Sequence, residues 1–509
     1  MSAAPASSNA TSAYAALEKR FRRLNLVRDA AAMLQWDMAA MMPNGGADVR
    51  GDQLATLKVI IHEQITDPAV GDLLAAADEA ADALDPWQRA NLREMRRGWI
   101  HAAAVPADLV EALSKAVSDC EMRWREARPA NDFKGLLPGL RRVLDLTREV
   151  GRVKADRLKV SIYDALLDEY EPGGSSAEID RVFDDLARFL PGFIDDVLAK
   201  QARDPAVLPL QGPFPADKQR GLAVELMKRL GFDFEHGRLD TSHHPFCGGV
   251  PDDVRLTTRW DENDFLSGLM GVLHETGHAL YERGLPKAWR HQPVGEARGM
   301  SFHESQSLLV EMQACRSREF IDFLAPLVAR TFDGSGPAWH PDNLHRIYTR
   351  VERSLIRVDA DEVTYPAHVI LRYRLEKALI AGDLDLADLP GAWNDGMREL
   401  VGVVPPDDRD GCLQDIHWPG GAWGYFPTYT LGAMTAAQLF DAATRSDLSI
   451  RPAIAKGEFA PLMTWLRDNV HSKGALLPTR ELLIAATGKT LDPDIYKAHL
   501  RRRYLDGQV

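Results

Sequence analysis

The sequence predicts a mainly α-helical protein with one small β element near residues 205–260. Three observations carry this reading. Apolar residues recur at helical spacing through almost the whole chain. The amphipathic stretches are richer in Ala, Leu, Glu and Arg than in β-branched residues, and strand character is confined to one short region. Of the 509 residues, 45% are hydrophobic and 27% charged, a globular mixture that supplies a large core and excludes disorder over most of the chain.

The opening residues, MSAAPASSNATS, lack both a basic and an apolar run, so residues 1–13 read as a disordered tail and not as a targeting signal. From Tyr14 the spacing of Leu17, Phe21, Leu24 and Leu26 starts a helix that continues toward Met33 and Leu34. Further amphipathic stretches fall at about 48–77, 86–102, 106–127 and 135–168. Glu171-Pro172-Gly173-Gly174-Ser175-Ser176 breaks the pattern, and its serines are suited to capping a helix at about 177–200. Between about 205 and 260 Pro, Gly, His and Thr increase, and Val254–Trp260 reads as a strand. Helical patterns resume at 263 and continue almost to the end, with loops near 286–299, 332–341 and 402–426. With no fixed-period repeat and no linker, residues 14–509 read as a single helical domain, two lobes around a groove being a close variant.

Sixty-one Lys and Arg against 74 Asp and Glu leave a formal charge of −13, which argues against nucleic acid or an anionic membrane as partner. Apolar runs are interrupted by charges before the roughly 18 residues that a membrane span needs. Cys120, Cys247, Cys315 and Cys412 are far apart and form no CxxC pair, which fits a reducing compartment. A cytoplasmic protein is expected.

His274-Glu275-Thr276-Gly277-His278 is the first set with chemical content. It lies in a helix signal that Asp261 or Asn263 would cap and that Gly284 and Pro286 would end. Residues four apart share a helix face, so His274 and His278 reach one cation, while Glu275 stands beside it as a general base. The metzincin extension is absent, because Tyr281 and Gly284 occupy the positions that need Gly and His. Glu304, in His303-Glu304-Ser305-Gln306 at the start of another amphipathic helix, is the expected third ligand. Two imidazoles and one carboxylate leave an open position, the catalytic arrangement for zinc.

Further motifs then follow in order: His244-Pro245-Phe246; Asp253–Thr257 in the pattern DxRxT; Ile356–Asp361 in the pattern IRxxAD; and Gly411–Trp418 in the pattern GxxQDxHW. With Leu34-Gln35-Trp36-Asp37 and Met41-Met42-Pro43, they make the chain resemble the carboxypeptidase Taq family of metallocarboxypeptidases over nearly its whole length. The resemblance implies a large helical homodimer with a long active-site groove. It implies metal-dependent removal of the C-terminal residue of peptides, broad in preference and poor next to proline. Zinc is the implied metal, one per subunit, with cobalt able to substitute.

An exopeptidase must hold a free α-carboxylate, and Arg357, read here on a helix with Tyr348, Val351, Leu355 and Ile356, is the candidate clamp. Its alternative role is an ion pair with Asp359 or Asp361. Arg255 and His244 either touch the upstream part of the peptide or hold the sheet edge by local hydrogen bonds. His417, in the glycine-rich stretch 402–426, is the candidate oxyanion donor, with Tyr425 and Tyr429 as alternatives on the substrate side. Two other functions remain open at this level: a helical metallo-endopeptidase, which needs no carboxylate clamp, and a non-catalytic helical binding protein, against which the presence of Glu275 argues.

Overall fold

The computed structural model describes residues 6–507 apart from Ala80 and His243. The first helix, α1, spans Ala6–Ala40 and so begins inside the stretch expected to be a tail. Residues 1–5 of that stretch lie outside the described residues. Next come α2 (Ala47–Thr66), α3 (Pro68–Asp78), α4 (Pro86–Ala103) and α5 (Ala107–Ala130). They are followed by α6 (Phe133–Leu158), α7 (Ile162–Leu167), α8 (Ser176–Gln201) and α9 (Ala216–Leu230).

Two stretches expected to be continuous are each a pair of helices. The 48–77 stretch divides at Asp67, whose extended backbone (ψ 124°) precedes Pro68 and whose side chain accepts from the Ala69 N–H. The 135–168 stretch divides at Lys159, left-handed at φ 60°, after which Ser161 caps α7.

Strands β1 (Gly237–Thr241), β2 (Phe246–Val250) and β3 (Asp253–Thr258) form the small sheet, within the region the sequence marks. Their order is β1-β3-β2, with β1 parallel and β2 antiparallel to β3. The tight β2–β3 turn requires Gly249: its φ is +85°, and a Cβ there would lie 2.2 Å from the Asp253 carbonyl oxygen.

After the sheet come α10 (Phe265–Gly284) and α11 (Gly299–Leu308), the latter running on into a π-helical turn, Leu309–Ala314. The remaining helices are α12 (Arg318–Thr331), α13 (Pro341–Tyr348), α14 (Tyr365–Ala381), α15 (Leu389–Leu400) and α16 (Pro427–Ser446). Short helices α17 (Ile450–Ile454), α18 (Ala460–Asn469), α19 (Thr479–Thr487) and α20 (Pro493–Tyr504) close the chain.

Helix α13 stops at Tyr348, so Arg357 stands on a single 3₁₀ turn, Arg357–Asp359, and not on the helix expected from the spacing of Tyr348, Val351 and Leu355. Tertiary hydrogen bonds replace the helical ones in this stretch. Gln201 pairs with both the N–H and the C=O of Val351, and Asp361 accepts from the N–H groups of Glu352, Val363 and Thr364.

One large apolar core joins most helices to the sheet, while a smaller one is built from α1, α3 and α4 with residues such as Tyr14, Phe21, Leu74 and Met95. A polar seam lies where α4 meets the larger body. There the Arg298 guanidinium donates to Glu94 at 2.9 Å, and Asn91 donates to Gln292 at 3.0 Å. Among the described residues no helix is long and apolar enough to cross a membrane.

Candidate active site

Helix α10 is capped by Asp264, which accepts from the N–H groups of Leu266 and Ser267; Asp261 and Asn263, the caps expected from sequence, bond to each other instead. Leu269, Met270, Val272 and Leu273 are buried and fix the rotation of α10, so that His274 and His278 point to one side. Two glycines then set the helix spacing. A Cβ on Gly277 would lie 2.5 Å from the Gln306 carbonyl oxygen, and one on Gly432 of α16 would lie 2.9 Å from both Cβ and Cγ of Glu304. Their absent side chains let α10 and α16 approach α11 closely enough to bring Glu304 to the histidines.

One ligand atom from each of His274, His278 and Glu304 lies within 4.8 Å of the other two. The Nε2 atoms of His274 and His278 are 3.9 and 3.5 Å from Glu304 Oε2. Ligands about 2.1 Å from a shared tetrahedral ion stand about 3.4 Å apart, so the triad fits a divalent metal such as zinc. The electrostatics agree. Burial lowers the basicity of His274, but Glu304, Glu311 and Glu275 outweigh it and push the imidazole up to about 10. Burial would raise Glu304, yet the two histidines hold it at about 2. Three carboxylates, Glu275, Glu304 and Glu311, thus surround His274, and a bound cation would take the place of the proton they hold on it.

His278 is driven the other way, down to about 4, by burial and the neighbouring His303, which keeps it neutral as a ligand must be. Glu275 is only 8% exposed, and burial pushes it up to about 7. A backbone N–H from Cys247 on β2 faces its carboxylate and favours the charged form.

A support layer surrounds the triad that sequence reasoning missed. The π turn brings Glu311 Oε2 to 3.0 Å from His274 Nδ1, and Arg316 Nη2 donates to Glu311 Oε1 at 2.6 Å. This fixes the His274 tautomer so that Nε2 faces the ligand position. Seven-residue spacing from Glu304 to Glu311 was the available signal, since it returns to nearly the same helix face.

The second cluster is built around Asp415. Arg357 Nε and Nη2 donate to Asp415 Oδ1 at 3.1 and 2.8 Å, and Arg372 Nε donates to Oδ2 at 2.6 Å. Arg357 thus pairs with neither Asp359 nor Asp361. Gln414 Oε1 accepts from the Arg357 backbone N–H and from Arg372 Nη2, which locks both arginines to one loop. The Arg357 guanidinium stacks 4.8 Å over the Tyr429 ring. Arg372 and Gln414 also escaped the sequence reading: a fully buried arginine on α14 looks like any amphipathic-helix cation until its partner is known.

His417 Nε2 lies 3.0 Å from the Tyr429 hydroxyl, and its ring packs 4.4 Å from Phe426. Burial lowers His417 to about 4, so it is a neutral imidazole. The Tyr425 ring is 5.2 Å from Tyr429, and both phenols feel the Glu304 carboxylate, which ties this aromatic cluster to the metal triad. Arg255 is held locally, with Nε and Nη2 donating to Asp253 at 2.9 and 2.6 Å and its guanidinium 4.8 Å over Trp36. The carbonyl of His244 accepts from Ser242 Oγ at 2.5 Å on the exposed lead into β2.

A mainly helical body carrying a His-Glu-His helix and a carboxylate from the next helix defines a metallopeptidase. The chain belongs to the family described as Carboxypeptidase Taq (M32) metallopeptidase, whose model matches residues 16–504. Thermostable carboxypeptidase 1 of Thermus thermophilus is 40% identical over 502 residues, covering 97% of this chain and 98% of that one. Carboxypeptidase 1 of Bacillus subtilis is 31% identical over 495 residues, covering 96% and 98% of the two chains. Among solved structures, Trypanosoma cruzi metallocarboxypeptidase 1 superposes with a TM-score of 0.96 at 41% identity, covering 97% of this chain and all of that one. The chain is accordingly a metallocarboxypeptidase acting on peptides.

Proposed function

We propose that the chain removes single residues from the free C-terminus of peptides with broad preference, using zinc held by His274, His278 and Glu304. The observation that carries this reading is charge balance in the second cluster. Arg357 and Arg372 are both buried and share one carboxylate, Asp415, while His417 and His368 are held neutral by burial. One positive charge is left over in a poorly solvated place, where a substrate α-carboxylate balances it.

Zinc in the triad supplies Lewis acidity, which lowers the pKa of water and polarises a carbonyl. Glu275 holds the proton taken from the attacking water and passes it to the leaving amine. Arg357, kept flat against Tyr429 and braced by Asp415, fixes the terminal carboxylate and thereby the bond that is cut. The His417–Tyr429 pair, with Tyr425 beside it, donates to the oxyanion. Arg255 and His244 line the upstream approach along β2. Poor cleavage next to proline, tolerance of cobalt, a homodimer, a single domain over 14–509 and a cytoplasmic location complete the reading, and they rest on the resemblance and on composition.

The test is a time course on an unblocked peptide of about ten residues, followed by mass spectrometry. Sequential loss of C-terminal residues alone is expected, stalling at proline. Internal cuts from the outset would overturn the reading.

A further inference from the structure

A cavity of about 480 Å³, lined by none of the triad residues, lies between the C-terminal end of α8, the start of α12, the end of α13 and the end of α20. Its lining concentrates cations in an acidic chain. Lys200, Arg318, Arg346, Arg350 and Arg503 face it, with Asp204 as the one carboxylate in the wall.

Four of these cations are tethered from the side or from behind. Lys200 pairs with Asp204, Arg318 with Asp342, Arg350 with Glu352 and Arg503 with Glu362. Arg318 also donates to Asp322, and Arg503 to the carbonyls of Met312 and Gln313, so the pairs orient these cations and Arg346 is the least engaged. Arg346 has no ion-pair partner among the described residues, and its Nε is buried without a hydrogen bond.

Two neighbours repeat the pattern. Arg503 is only 4% exposed, yet its Nε has no partner, and Nε2 of His345 is buried and unsatisfied as well. These atoms are closed off from the cavity itself; what its wall offers is five cations against one carboxylate, which suits an anionic ligand. Several guanidinium groups together suit a phosphoryl group, whose oxygens accept in three directions. The wall also includes the apolar side chains of Val197, Pro205 and Val207. The volume exceeds what one phosphate fills and lies in the range of small-ligand sites, about 300–1,000 Å³.

We propose that this cavity binds a small phosphorylated organic molecule, with its phosphoryl oxygens on Arg346, Arg318 and Arg350 and its organic part against Val197 and Val207. The site is separate from peptide hydrolysis and independent of the reading of Arg357.

Calorimetric titration of the zinc-loaded full chain with adenosine 5′-diphosphate, inorganic pyrophosphate and adenosine tests this. Saturable binding of the diphosphate is expected, with pyrophosphate weaker and adenosine silent. Arg346→Ala and the exposed Arg350→Ala should each weaken the diphosphate by about 10-fold or more, while Arg188→Ala, a cation outside the cavity, should not. Peptide hydrolysis without the diphosphate should be unchanged in all three variants. Absence of saturable binding would overturn the proposal. So would binding that persists undiminished in both arginine variants, because phosphates chelating the metal centre would behave that way.

Discussion

On the proposed function, Arg357 carries the charge that separates an exopeptidase from an endopeptidase, and replacing it by Ala removes that charge. In the native cluster two arginines share Asp415, so the site carries a surplus positive charge. After the substitution Arg372 still donates to Asp415 at 2.6 Å, the two charges cancel, and no carboxylate is left buried and unpaired. Folding should therefore survive. The loss falls on substrate: truncating one side of a desolvated arginine–carboxylate pair costs about 2–5 kcal/mol, or about 30-fold to several-thousand-fold in kcat/KM. Arg357→Lys keeps the charge but loses the flat fork that stacks on Tyr429, and should fall in between. The assay compares a free-acid peptide with its C-terminal amide for each variant, alongside bound metal. The free-acid peptide should lose its advantage while zinc stays stoichiometric. Equal slowing of both peptides, or none, would show that another group holds the terminus.

Glu275→Gln should retain metal and lose about 10²- to 10⁴-fold in turnover, as read by steady-state kinetics with metal analysis. Glu311→Ala should weaken metal about 10- to 100-fold by releasing His274, measured by competition with a chromophoric chelator; an unchanged affinity would remove Glu311 from the support layer. Gly277→Ala should destabilise the protein by about 1–3 kcal/mol through the clash with the Gln306 carbonyl, seen as a lower unfolding temperature. A variant that melts with the wild type would show that α10 and α11 are free to move apart.

The helical class, the place of the small sheet and the three side chains that meet as a candidate metal triad were legible in the sequence because each rests on short-range pattern. Helix periodicity, turn residues and the four-residue spacing of His274 and His278 are local signals. Glu304 was legible only because it stands in a motif. What escaped depends on contacts distant in sequence. Asp67-Pro68 and Lys159 interrupt long amphipathic runs without changing their periodicity, so each pair read as one helix. The stretch after Tyr348 has helical spacing, but Gln201 and Asp361 take its backbone groups. Glu311 reaches His274 from a π turn, with only its seven-residue spacing from Glu304 to mark it, and the partner of Arg357 proved to be Asp415, 58 residues along the chain and not the nearby Asp359.

The central claim is that one divalent ion sits between His274, His278 and Glu304. Crystals of the zinc-loaded protein, measured on both sides of the zinc absorption edge, test it most directly. The account predicts a single strong anomalous peak per chain within about 2.0–2.2 Å of both Nε2 atoms and a Glu304 oxygen, which disappears in Glu304→Ala prepared with the same zinc. A peak elsewhere, or one that keeps full height in Glu304→Ala, would contradict it.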